Sequence, residues 1–211
     1  MGQGGLLKRR LRDRTPQASQ TEEAGRGTIM NARLPVENSD TVNLVCALLV
    51  RYPEIASIRS MPGEGTVRFT FAIGARMDRA MQRATREAIE AHVEGFLALA
   101  RDAGDLQVEC ESEGAHSFVH VTRDLVTFSK DELGMLTALF AQRFGDALVR
   151  NPVPDEHPDE DPAAQDELVE CAIEALADPA QSKILVGFRE EKHVLVYFLK
   201  SRKKTKAPAR R

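Results

Sequence analysis

The residues best suited to acid–base chemistry lie in one short stretch of the chain, where acidic and imidazole side chains alternate with apolar ones. Glu109, Glu111, His116 and His120 fall on the two arms of a predicted β-hairpin whose turn is Glu113-Gly114. Because side chains alternate between the faces of a strand, all four lie on the polar face, with Glu111 opposite His116. A carboxylate beside an imidazole can transfer protons or help to bind a metal ion. The hairpin therefore carries a candidate enzyme site.

A second interpretation of the same face is a solvated surface held by cross-strand charge pairs. His116 and His120 are four strand residues apart, which is roughly 13 Å at about 3.3 Å per residue. One metal ion cannot bridge that distance without ligands from another element. The chain also lacks the motifs of the common nucleotide-binding, zinc-binding and serine-nucleophile sites. We therefore expect no metal site and no cofactor, and the Glu/His enzyme is the third of three candidate functions.

Two arginines lie directly opposite each other in an earlier predicted hairpin, which turns at Pro62-Gly63-Glu64-Gly65. Like charges in this position repel, so Arg59 and Arg68 need a counter-charge nearby. The counter-charge is either an acid from a neighbouring element or an anionic ligand or partner. Both arginines are therefore candidate anion contacts.

Charge is unevenly distributed along the chain, with basic ends around an acidic middle. Residues 1–29 have a net charge of +3, residues 200–211 have +7 and residues 30–199 have −13, which gives −3 for the whole chain. A fold this acidic repels polyanions, so any contact with nucleic acid has to come from the tails. Both tails are expected to be disordered, and Met30 leaves open a later start of translation. The C-terminal tail fits a solubilising end or a weak, non-specific nucleic-acid contact; its basic residues are Lys200, Arg202, Lys203, Lys204, Lys206, Arg210 and Arg211.

The cysteines and the hydropathy pattern bear on the compartment. Cys46, Cys110 and Cys171 are odd in number, far apart and set in apolar sequence, which predicts reduced, buried thiols and a cytoplasmic protein. No apolar run approaches the roughly 18–20 residues that a membrane span needs. We therefore expect no membrane partner.

Helical periodicity followed by two short alternating strands occurs three times along the chain. This pattern predicts an α+β fold of antiparallel β-hairpins packed against helices, in the order α-β-β-α-β-β-α, linker, α-β-β. Residues 30–150 are predicted to form an α+β domain and residues 166–199 an α-β-β unit. Between them, residues 151–165 contain four prolines and five acidic residues, which is typical of a linker.

The longest predicted helix covers about residues 76–103. Its apolar stripe includes Ile89, Phe96 and Leu99, and His92 falls on the same side. A hydrogen-bonded histidine at the edge of the core is the expected role for His92.

The last predicted hairpin is apolar on both faces. One face carries Leu185, Val194, Val196 and Phe198, and the other carries Ile184, Val186, Phe188, Leu195, Tyr197 and Leu199. Such a strand pair has to be covered on both sides, and a unit of this size cannot do so alone. It docks either in the sheet of its own chain or against a second chain, and the latter predicts a homodimer through residues 184–199.

Three functions follow from these features. The first is a non-enzymatic cytoplasmic interaction module that binds a protein partner or itself through its sheet. The second is a nucleic-acid or ribosome-associated protein that contacts phosphates through its basic tails. The third is the Glu/His enzyme.

Overall fold

The computed structural model describes residues 36–150, 161–178, 180–190 and 193–199. Within these residues, four α-helices and six β-strands follow one another in the predicted order, and the α+β prediction is confirmed. The helices are α1 (Val36–Arg51), α2 (Arg79–Ala100), α3 (Lys130–Phe144) and α4 (Pro162–Ala177). The strands are β1 (Ile55–Met61), β2 (Thr66–Ile73), β3 (Leu106–Glu113), β4 (His116–Asp124), β5 (Ile184–Glu190) and β6 (His193–Leu199).

The strands form one antiparallel sheet in the order β3-β4-β2-β1-β5-β6. The third hairpin joins this sheet because β5 pairs with β1, with Val186 opposite Arg59 and Phe188 opposite Ser57. The edges of the sheet are β3 and β6. The division of the chain into two domains and a linker stays a prediction, although α4 begins at Pro162, inside the predicted linker. Asp161 explains this start, because its side chain accepts a hydrogen bond from the Ala163 amide as an N-cap.

The register of the second hairpin differs from the prediction by two residues. Glu113 pairs with His116, so the turn is Gly114-Ala115 rather than Glu113-Gly114. The reason is the backbone of Gly114, which has φ +59° and occupies the first turn position, where two-residue hairpins favour glycine. A shift of two residues leaves every side chain on its predicted face. The partners change nonetheless, and Glu111 now lies opposite Phe118 rather than His116.

The helices pack on one face of the sheet. From α3, the Phe140 ring stacks on Phe71 of β2 with centroids 3.7 Å apart. From α1, Val45 and Leu49 approach Gly187 of β5 so closely that a Cβ there would lie 3.0 Å from both side chains. This close approach is what seats α1 on the third hairpin.

The buried side of α2 differs from the predicted stripe. Leu99 is 88% exposed, and His92 is also exposed, with Nδ1 2.7 Å from the Ala88 carbonyl oxygen of its own helix. The prediction included the buried Ile89 but missed Val93 and Leu97, because the apolar residues of this helix lie on more than one side and their spacing alone does not decide which side packs. The buried residues repeat every fourth position and are Thr85, Ile89, Val93 and Leu97.

An ionic cluster lies inside the core at the end of β4. Arg123 and Glu132 are both fully buried, and the guanidinium donates to the carboxylate from Nε at 2.6 Å and from a terminal nitrogen at 3.1 Å. The same guanidinium donates to Asp124 and to Thr127. Burial by itself lowers the pKa of Arg123, but the two carboxylates outweigh it and hold that pKa above its ordinary value. The cluster therefore ties β4 to the first turn of α3 through charged hydrogen bonds.

The three cysteines are free thiols, as the sequence indicates. Cys46 and Cys110 are half-buried, but Cys171 on α4 is exposed, so the prediction of three buried thiols is wrong at this position. Cys171 lies on the outer side of α4, next to the buried Ala172.

Candidate functional site

The sheet face opposite the helices is not covered by any other described element, and we call it the open face. It consists of the alternate side chains that point away from the helix-packed residues. Its polar half, on β3, β4, β2 and β1, comprises Gln107, Glu109, Glu111, His120, Thr122, Arg68, Thr70, Ser57 and Arg59. Its apolar half, on β5 and β6, comprises Ile184, Val186, Phe188, Leu195, Tyr197 and Leu199.

Arg68 is the centre of the first group of contacts in the polar half. Its guanidinium lies 3.2 Å from a Glu109 carboxylate oxygen, and its Nε donates to the Thr122 hydroxyl at 3.1 Å. Glu109 also accepts from the Gln107 side-chain amide at 3.0 Å. Strand β3, on the far side of β4 from β2, thus supplies a counter-charge to Arg68.

His120 is the centre of the second group. Its Nε2 lies 3.0 Å from Glu111 Oε1, and its Nδ1 lies 3.0 Å from the Thr70 hydroxyl. The imidazole is mostly shielded, with 17% of its side chain exposed. His116 stands apart at the hairpin turn, opposite Glu113, so the structure does not bring the four predicted acid–base residues together.

Glu111, His120 and Thr70 form a carboxylate–imidazole–hydroxyl chain, an order of groups that can activate a nucleophile. However, Thr70 lies on an interior strand and is paired with Ser57 on one side and His120 on the other. The backbone amides around it are engaged in strand pairing and cannot serve as the oxyanion donors that acyl transfer needs. The geometry therefore favours bonding between strands over nucleophilic catalysis.

Arg59 marks the boundary between the two halves. It lies opposite Arg68 on one side and Val186 on the other, as the predicted register of the first hairpin requires for the arginine pair. The side chain is exposed and makes no hydrogen bond or ion pair with another described residue. A cation beside an apolar surface can receive a carboxylate, and the anion-contact prediction for Arg59 and Arg68 stays a prediction.

The apolar half is an exposed aromatic and aliphatic surface. The rings of Phe188 and Tyr197 stack with centroids 5.8 Å apart. Tyr197 is 50% exposed and Leu199 is 44% exposed. Large apolar side chains grouped on a surface are typical of interaction sites, whereas single exposed ones need no explanation.

The structure does not test the predicted nucleic-acid contacts of the C-terminal tail. The basic residues from Lys200 to Arg211 lie outside the described residues. Among the residues that the structure does describe, no group of three or more His, Cys, Asp or Glu side chains is arranged to hold a metal ion. In the same part of the chain, no helix is both long and apolar enough to cross a membrane.

Comparisons of the chain with protein-family models, with curated proteins and with solved structures give no match.

Proposed function

We propose that this protein is a non-catalytic interaction module that binds protein through its sheet. The observation that carries the proposal is the apolar half of the open face, where Phe188, Tyr197 and Leu199 are grouped at the surface. Burying such side chains against a partner is favourable by about 25 cal/mol per Å² of apolar area. Aromatic residues beside an arginine are also the usual anchors of protein interfaces, and Arg59 occupies that position here.

The polar half supports the same function in a different way. Arg68, Glu109, Glu111 and His120 satisfy one another across three strands. Satisfied polar groups stiffen the sheet and form a polar border beside the apolar surface, which is the usual anatomy of an interface. An enzyme instead needs convergent groups in a concave site, and these side chains stand on a sheet face without a covering element among the described residues.

Photo-crosslinking in the cells that produce the full chain tests this function. A benzophenone amino acid replaces Tyr197 in the apolar half, and the matched control places it at Leu99, an 88% exposed residue of α2. We expect protein adducts from position 197 in large excess over position 99. Equal yields at the two positions would contradict the proposal.

The nucleic-acid alternative stays a prediction, because it depends on basic residues outside the described part of the chain. The same experiment separates it from protein binding. Adducts at position 197 whose added mass nuclease removes would favour nucleic acid, whereas adducts whose added mass survives nuclease favour a protein partner.

A further inference from the structure

Four exposed arginines lie at the start of α2, and we call them the arginine row: Arg76, Arg79, Arg83 and Arg86. The last three belong to the helix, where residues three and four apart are neighbours on one face. Asp78 is the one acid among residues 76–86, so this segment has a net charge of 4 − 1 = +3. The fold thus carries a local positive surface, although residues 30–199 as a whole have −13.

The helical members of the row have no partner among the described residues. Arg79, Arg83 and Arg86 make no hydrogen bond or ion pair there. Glu87 and Glu90 lie four residues beyond two of these arginines, a spacing that allows ion pairs on a helix, yet neither pair forms. Within the described part of the chain, the three guanidinium groups therefore keep all of their donors for another molecule.

The row lies beside the edge strand β3. On the same helix, Gln82 donates to the Ser112 hydroxyl of β3 at 3.1 Å. Arg76 donates to the carbonyl oxygen of Gly114, in the turn after β3, at 3.3 Å. Since β3 is an edge of the sheet, no further strand of the described fold lies beyond it to cover this side of the molecule.

The position of the row on α2 is unfavourable for the fold itself. The N-terminal end of a helix is the positive end of its dipole, and cations there are repelled. Arg79 is the first residue of α2, and the first turn contains no acid. Asp78 precedes it as the N-cap and is bonded to the Met81 amide at 2.7 Å. Residues that break a local rule without a compensating contact are expected at functional sites.

The chemistry of the row favours phosphate groups over an acidic protein. All four cations are arginines, whose planar guanidinium can donate two parallel hydrogen bonds to one phosphate. Protein interfaces have an apolar core, whereas nucleic-acid interfaces are more polar and much more positive. Among residues 76–86, all of them described, Met81 is the one large apolar residue at the surface. The row therefore has the composition of a nucleic-acid contact.

We propose that the arginine row binds the phosphate backbone of a nucleic acid without reading its sequence. Residues 76–86 contain no aromatic side chain that could stack on bases, and contacts to phosphate carry no sequence information. This surface lies on the helix side of the sheet, so the inference goes beyond the proposed function, which uses the open face.

The acidic net charge of the fold is compatible with this contact. At physiological salt, exposed charges more than about 8 Å apart are largely screened from one another, so the local charge decides the binding. Two acids of the adjacent strand, Glu109 and Glu111, point to the open face and are bonded there by Arg68 and His120. They are thus already paired on the other side of the sheet.

Fluorescence anisotropy of the full chain tests the proposal, with a labelled DNA duplex and a labelled oligouridylate as probes at several salt concentrations. The variant Arg79→Gln/Arg83→Gln/Arg86→Gln should bind at least about tenfold more weakly. For the duplex, its slope of log affinity against log salt should be shallower by about 2–3, because each neutralised phosphate contributes about 0.9.

The matched control is Lys203→Gln/Lys204→Gln/Lys206→Gln, which removes the same charge from the C-terminal tail. We expect this control to lose clearly less affinity than the α2 variant. In urea unfolding without nucleic acid, the α2 variant should be at least as stable as the wild type, because it removes cations from the positive end of a helix. A loss of binding is then not a loss of folding.

Two results would overturn the inference. The first is a full chain that binds neither probe; if it binds a polyglutamate peptide instead, the row belongs to an acidic protein partner. The second is an equal or larger loss of affinity in the tail control, since the tail or the net charge would then govern binding. Both results leave the proposed function standing, because crosslinking at position 197 tests it on the other face of the sheet.

Discussion

Removing one partner of the buried Arg123–Glu132 pair should destabilise the fold strongly, and by unequal amounts on the two sides. Both side chains are fully buried, and the guanidinium donates two hydrogen bonds to the carboxylate. Breaking a buried ion pair from one side costs about 3–5 kcal/mol, because the remaining charge is left without its partner. The two losses of stability differ because the residue that remains after each substitution keeps a different number of hydrogen bonds.

Arg123 keeps other acceptors when the Glu132 carboxylate is removed, because it also donates to Asp124 and to the backbone carbonyl of Asp105. The Glu132 side chain receives both of its described hydrogen bonds from Arg123. We therefore expect Glu132→Gln to lower the free energy of unfolding by about 2–3 kcal/mol, and Arg123→Met by about 4–5 kcal/mol, at neutral pH. A typical domain has about 5–15 kcal/mol of stability, so Arg123→Met approaches the limit that the fold tolerates.

Urea unfolding followed by far-ultraviolet circular dichroism measures these losses, since the chain has no tryptophan to report by fluorescence. A double variant, Arg123→Met/Glu132→Leu, removes both charges and should regain at least about 1 kcal/mol over Arg123→Met alone. If Glu132→Gln and Arg123→Met lower the free energy of unfolding equally, then the hydrogen bonds from Arg123 to Asp124 and Asp105 do not compensate for the lost carboxylate, and this reasoning is refuted. A loss below about 1 kcal/mol in either variant would refute the buried pair itself.

Three further outcomes are expected. Gly104→Ala should cost about 1–3 kcal/mol in urea unfolding, because a Cβ there would clash with the Thr127 hydroxyl, while Gly63→Ala, with nothing within 4 Å, should be nearly neutral. Burial by itself raises the pKa of Asp124, but hydrogen bonds from Thr127 and the adjacent guanidinium hold it below its ordinary value of about 3.9. Asp124 therefore adds stability above about pH 4 that is lost as the pH falls through its native pKa, and Asp124→Asn should flatten the acid limb of the stability curve. Cys171 should react first with a thiol reagent and Cys171→Ser should abolish the fast phase, because burial raises the pKa of the other two thiols; one uniform slow phase in the wild type would contradict this.

The alternation of apolar and polar residues was sufficient to predict which face of the first two hairpins is buried. The third hairpin is apolar on both faces, and the expectation that both are covered is wrong within the described residues, where Tyr197 and Leu199 are about half exposed. Alternation could not set the register of the second hairpin, because a two-residue shift preserves the faces and only the backbone of Gly114 decides the turn. The consequence reaches the candidate site, since the shift moves His116 away from Glu111 and leaves His120 as the bonded histidine.

The buried ionic cluster was missed although the sequence contains a sign of it. Arg123 occupies an inward position of β4, two residues after the buried Val121, and a charge at such a position requires a buried partner. The pattern Ser-x-x-Glu at residues 129–132 indicates the start of α3, and Ser129 does accept a hydrogen bond from the Glu132 amide. The Glu132 carboxylate, however, bonds Arg123, a long-range contact that a local pattern cannot reveal.

The central claim is that the protein binds other protein through the apolar half of the open face. The most direct test is the yield of photo-crosslinked adducts from position 197, compared with position 99 on α2 in the same full chain. We expect nuclease-resistant adducts at position 197 at several times the yield of position 99. Equal yields at both positions, or no protein adduct at position 197, would contradict the claim.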